Sequence, residues 1–101
     1  METKLVKMNS ANITVDNSND AQKQYNLQAD VEVYDKVVAR FLNGLVMKNN
    51  KVMAKFSVYG NNEFNIVYKE VDPAEQLTIN TEVNDFITSA KATIASATFN
   101  F

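Results

Sequence analysis

The sequence predicts an α+β fold: a curved antiparallel β-meander of about five to six strands, closed by one C-terminal amphipathic α-helix. Three observations carry this expectation. From Gln24 to Val33 apolar and polar residues alternate without an error, Tyr25, Leu27, Ala29, Val31 and Val33 on one side and Gln24, Asn26, Gln28, Asp30 and Glu32 on the other. Side chains two apart share a strand face, so one face is buried and one is wet. Three successive turns then set the apolar residues of four strands on the same side. Last, the period changes from two to about 3.6 near the C-terminus.

Taken in order, residues 4–16 are extended in character. Ala11, Ile13 and Val15 alternate with Asn12, Thr14 and Asp16, while Val6 and Met8 lie in the opposite phase, which a break near Asn9 and Ser10 would reconcile. Residues 17–23 are polar and rich in turn formers, hence a loop. The alternating strand follows. Residues 36–48 carry both helical and strand spacing, and Asn43-Gly44 in their middle argues against helix, where glycine costs about 1 kcal/mol relative to alanine. Pairing decides for strand. A loop centred on Asp35 sets Val33 opposite Val37, Val31 opposite Ala39 and Ala29 opposite Phe41. A two-residue turn at Asn49-Asn50 sets Met47 opposite Val52, Leu45 opposite Ala54 and Phe41 opposite Val58. A loop of Gly60, Asn61 and Asn62 sets Val58 opposite Phe64, Phe56 opposite Ile66 and Ala54 opposite Tyr68. Residues directly opposite share a face.

Asp72, Pro73 and Glu75 fit N-cap, N1 and N3 of a helix, and equally a type I turn. The alternation of Leu77 and Ile79 favours the turn, followed by a last short strand over 76–80. Val83, Phe86, Ile87, Ala90, Ile94 and Ala97 form one helical stripe from Thr81 onward. Phe99 and Phe101 end the chain.

At 101 residues the chain has room for one domain, 1–101, and one core. It contains no cysteine and no histidine. Stability therefore rests on packing, and the usual general base and commonest metal ligand are missing. No phosphate loop, dinucleotide fingerprint or nucleophile elbow occurs. The carboxylate pairs Asp30 with Glu32 and Glu82 with Asp85 fall on a wet strand face and in a helix's first turn, positions of solvated surface rather than acid–base machinery. These features point away from an enzyme and call for no catalytic residue, cofactor or metal. Residues 1–7 lack a secretory run and no stretch is long enough to span a bilayer, so a cytoplasmic, non-membrane protein is expected.

The net charge of −2 hides a partition: −3 over residues 1–35, +5 over 36–62 and −4 over 63–101. The basic segment, Lys36, Arg40, Lys48, Lys51 and Lys55 with Phe41, Phe56 and Tyr59, could hold single-stranded nucleic acid. The pairing weakens that reading by sending Phe41 and Phe56 to the apolar face, and strand lysines also guard sheet edges. The other constellation is surplus apolar surface: Val38, Leu42, Val46 and Met53, which alternation places on the second face of the sheet, together with Phe99 and Phe101. Exposed apolar patches mark partner surfaces. The expected function is a non-enzymatic interaction or structural module, self-associating as a homodimer or binding another protein. Its surface would comprise Val38, Arg40, Leu42, Val46, Lys48, Met53, Lys55 and Tyr59. The alternative is a single-stranded nucleic-acid binder using the same basic face. A small-ligand carrier with a cavity between helix and sheet has no specific residue behind it.

Overall fold

The structure is a computed structural model that describes residues 10–18, 20–35, 37–59 and 63–96. Five strands precede one helix: β1 Ser10–Asp16, β2 Asn26–Tyr34, β3 Val37–Lys48, β4 Lys51–Val58, β5 Phe64–Tyr68 and α1 Pro73–Ser96. Each strand pairs antiparallel with its neighbour in the chain, giving one sheet in the order β1-β2-β3-β4-β5. The sheet stays open, and α1 lies across one face of it. This is the α+β meander with a C-terminal helix that the alternation and the period change predict. The expectations for residues 4–9, Lys36, the 60–62 loop, Ala97, Phe99 and Phe101 fall outside the described residues.

The core gathers the inward residues of the sheet and one stripe of the helix. Tyr25, Leu27, Ala29, Val31 and Val33 are all buried, as their alternation requires. Phe41, Val46, Ala54, Phe56 and Val58 join them from β3 and β4. From α1 come Ile79, Val83, Phe86, Ile87, Ala90 and Ile94. Phe56 and Phe86 meet edge to face, centroids 6.3 Å apart at 82°, the arrangement that ring quadrupoles favour.

Residues 76–80 form no strand. The helix begins at Pro73, where Asp72 accepts the Glu75 amide at 2.9 Å through its side chain and the Gln76 amide at 2.9 Å through its carbonyl. That is an N-cap followed by proline at N1, which lacks a donor that would go unpaired there anyway. Once α1 starts at Pro73, Ile79 falls one turn before Val83 on the buried stripe and is fully covered. Tertiary packing overrides the strand preference of Leu77–Asn80.

Residues 37–48 are one strand, but not a regular one. Asn49 and Asn50 both take positive φ, 53° and 63°, and close the expected two-residue turn with Lys48 opposite Lys51. The β4–β5 register is as predicted, with Phe56 opposite Ile66. The β2–β3 register is not. Val33 lies opposite Val38 and Val31 opposite Phe41, while Ala29 has no direct partner in β3. β3 carries an extra residue near Ala39 and another at Asn43–Gly44, which together stand against Ala29 and where Asn43 has φ 54°. A left-handed first residue is the mark of one kind of β-bulge, and asparagine tolerates it better than most. On the β4 side a further irregularity at Met53 restores the register, so Met47 faces Val52 as expected while Ala54 faces Val46, not Leu45.

Candidate interaction surface

A bulge inserts one residue and so exchanges the faces of everything beyond it. Before the irregularity at Ala39 it is Val38 that looks toward the helix, then Ala39 and Phe41, and after Asn43 the even residues of β3 do. Val46 is therefore fully buried, and Leu45 and Met47 turn outward to half-buried positions. Gly44 occupies the inward position opposite Phe56, where an added Cβ would lie 2.6 Å from three ring carbons. Its lack of a side chain lets the ring lie flat on the strand.

Of the eight residues expected together on the second face, the structure keeps four there: Arg40, Leu42, Lys55 and Tyr59. Val46 belongs to the core. Val38, opposite buried Val33, and Met53 are partly buried and pack against the core from the helix side. Lys48 also points to the helix side, placed by the bulge. Its Nζ lies 3.3 Å from Glu75 Oε2 and 5.4 Å from the centroid of the Tyr25 ring. Tyr25 donates its hydroxyl to the same carboxylate oxygen at 2.9 Å. Burial pushes that hydroxyl up to about 12, and the adjacent Glu75 carboxylate adds to the effect.

Successive rows across the strands build the outer face. One row runs Asn12, Glu32 and Arg40; the next runs Thr14, Asp30 and Leu42; a third runs Asp16, Gln28, Leu45, Lys55 and Val67. Val67 and Tyr59 are 65% and 39% exposed. Leu42, Leu45, Lys55, Tyr59 and Val67 line a shallow depression of about 420 Å³. The expected set contains neither Leu45 nor Val67: alternation sends Leu45 to the apolar face, whereas the predicted β4–β5 register already sets Val67 opposite Lys55. Asn43-Gly44 is the signal that finds Leu45, since an isolated glycine inside a strand marks a bulge.

Polar groups on this face are tied to one another. Arg40 pairs with Glu32 at 2.8 Å, and Tyr34 donates its hydroxyl to the other Glu32 oxygen at 2.8 Å. The Tyr34 hydrogen bond, and after it Arg40, holds the Glu32 carboxyl below the usual carboxylate range. Asp30 accepts hydrogen bonds from Thr14 Oγ1 and Asn43 Nδ2, each at 3.0 Å. Both donors are neutral, so neither offsets the charge of Asp30. Lys55 has no ion-pair or hydrogen-bond partner among the described residues.

A second concavity, of about 460 Å³, lies between the β1–β2 loop and α1, with Asp16, Asp20, Glu82 and Asp85 around an apolar floor of Leu27, Phe86 and Ala90. Among the described residues no three His, Cys, Asp or Glu side chains are grouped to hold a metal ion. No described helix is long and apolar enough to cross a membrane. Comparison with family models, with curated proteins and with solved structures finds no match to this chain.

Proposed function

We propose that this protein is a non-enzymatic interaction module that self-associates through the outer face of its sheet. One observation carries the reading: Leu42, Leu45 and Val67 stand in adjacent rows beside the Tyr59 ring, on a face that no described element covers. The single helix is committed to the opposite face. Each such side chain left in water forgoes up to roughly 1.5–3 kcal/mol of burial, so covering the patch with a second copy is favourable. A symmetric dimer is the commonest closed solution.

Molar mass in solution across a concentration series tests the reading. The wild type associates up to the high-micromolar range, and Leu42→Lys and Val67→Lys stay folded with a lower mass. A wild type that is monomeric throughout overturns it. The nucleic-acid reading draws on Tyr59 beside Lys55. Opposing it, Asp30 and Glu32 share the face and Glu32 neutralises Arg40. Titration with labelled single-stranded oligonucleotides at low and high salt separates the two, since phosphate binding weakens steeply with salt and apolar association does not.

A further inference from the structure

The outer face is charged unevenly from one side to the other. Within its strands the β1–β2 half carries Asp30 and Glu32 near the centre and, among the described residues, no cation; Asp16, at the end of β1, is near Lys23 of the following loop. Its β4–β5 half carries Lys55 and no carboxylate within either strand, and Lys69 and Glu70, of opposite sign, follow β5. Glu63, before β5, already has an interaction partner. Within this pattern Glu32 is offset by Arg40 at 2.8 Å. Asp30 and Lys55 are therefore the uncompensated charges nearest the apolar centre, one on each side of β3, in adjacent rows that also hold Leu42 and Leu45.

Resting on the self-association proposed above, we infer that two copies meet face to face about a two-fold axis running along β3, so that Asp30 of each copy lies against Lys55 of the other. A two-fold axis in the plane of contact has two simple orientations. Running along the strands, it lays β2 of one copy over β4 of its partner and β1 over β5, acid over base. Running across the strands, it lays β2 over β2 and β4 over β4, like over like. Charge complementarity selects the first, because juxtaposed like charges are repelled strongly in a desolvated contact. The apolar strip of β3 then lies on the axis, where Leu42 and Leu45 of both copies meet, as aligned sheet packing at about 10 Å allows. Thr14 and Asn43 hold Asp30 in place before any partner arrives. Five strands spaced about 4.8 Å apart and paired over roughly six to seven residues make a face of about 500 Å². Stable interfaces bury about 800 Å² per partner, so this dimer sits at the small, weaker end.

Charge reversal and its rescue test the geometry. Asp30→Lys and Lys55→Glu, each alone, place like charges against each other twice per dimer and weaken self-association roughly ten- to hundredfold by sedimentation equilibrium. Mixing the two variants in equal amounts restores opposite charges at both contacts, and the mixed dimer returns to near wild-type affinity. Should Asp30→Lys disturb the bulge, Asp30→Asn in the Lys55→Glu background removes the repulsion and associates more tightly than Lys55→Glu alone. If the wild type dimerises but neither the mixture nor the Asn variant relieves Lys55→Glu, the two-fold along β3 is wrong while the outer-face reading stands. A monomeric wild type overturns both.

Discussion

The β4–β5 hairpin and the β2–β3 hairpin use the same kinds of residue and build different backbones. In the first, Ala54 to Val58 pair with Tyr68 to Phe64 residue for residue. In the second, β3 takes up extra residues near Ala39 and at Asn43–Gly44. The regular hairpin keeps one set of side chains inside along its whole length. The bulged strand changes its inner set in the middle, drawing Val46 in, sending Leu45 and Met47 out and seating Lys48 beside the helix. The lesson is that alternation fixes which residues share a face only between irregularities, and the irregularity itself determines what the surface offers.

The harshest way to break this contrast is to insert one alanine between Asn43 and Gly44. With the faces beyond the bulge exchanged, Val46 would be driven outward and Leu45 inward, and Phe56 would meet the alanine in place of its glycine seat. We expect a loss of stability beyond the roughly 3–5 kcal/mol of a truncated core phenylalanine, read as loss of a cooperative urea transition. Next comes Phe56→Ala, which removes a ring packed on Gly44 and Phe86 and should destabilise by about 3–5 kcal/mol. Tyr59→Ala, three residues on in the same hairpin and partly exposed, should shift the denaturation midpoint by no more than about 0.5 kcal/mol. Equal shifts for the two would contradict the face assignment of β4.

Tyr25→Phe probes the cluster to which the bulge delivers Lys48. Loss of the hydroxyl's bond to Glu75 should cost about 1.5 kcal/mol at neutral pH. The folded hydroxyl titrates near 12 against an ordinary 10, so the fold favours the neutral form. Its contribution is complete below pH 10 and is lost as pH rises through 12. Wild-type stability should therefore fall across that window, and the Tyr25→Phe profile should be flatter there. An identical alkaline decline in both would remove Tyr25 as its source.

Smaller effects refine the account of the bulge. Asn43→Val puts a β-branched residue at φ 54° and should cost about 1–2 kcal/mol. Asn43→Gly keeps that conformation and should change stability by only a few tenths. Thermal melts of the two variants side by side measure the backbone requirement directly. Smallest of all, Lys48→Met removes a part-exposed ion pair and should cost no more than about 1 kcal/mol, with the difference shrinking in high salt.

Most of the architecture was legible because strand period, turn residues and helical stripe are local signals. The buried row from Tyr25 to Val33, the Asn49-Asn50 turn and the β4–β5 register all follow from them. What was not legible divides by cause. The start of α1 is written in Asp72-Pro73 with Glu75, but the alternation of Leu77 and Ile79 points the other way, and only the packing of Ile79 decides between them. The bulge in β3 is signalled by Asn43-Gly44, yet it sets the faces of five later residues and so moves Val46 and Lys48, while the irregularities at Ala39 and Met53, which place Val38 and Met53, have no glycine to announce them. The Tyr25–Glu75 bond joins residues fifty apart and has no local signature.

Because strand order repeats chain order, assembly has a direction in time. Hairpins close in about 1–10 μs, far faster than a ribosome adds the next residue. At about 5–20 residues per second, the 24 residues of α1 take roughly 1–5 s to be made. For that interval the sheet can exist without its cover, Leu27, Val31, Phe41 and Phe56 bare to whatever is near. A nascent chain of this protein therefore presents two apolar faces where the folded sheet and helix present a single face, and the helix, made after the sheet, decides which of them persists.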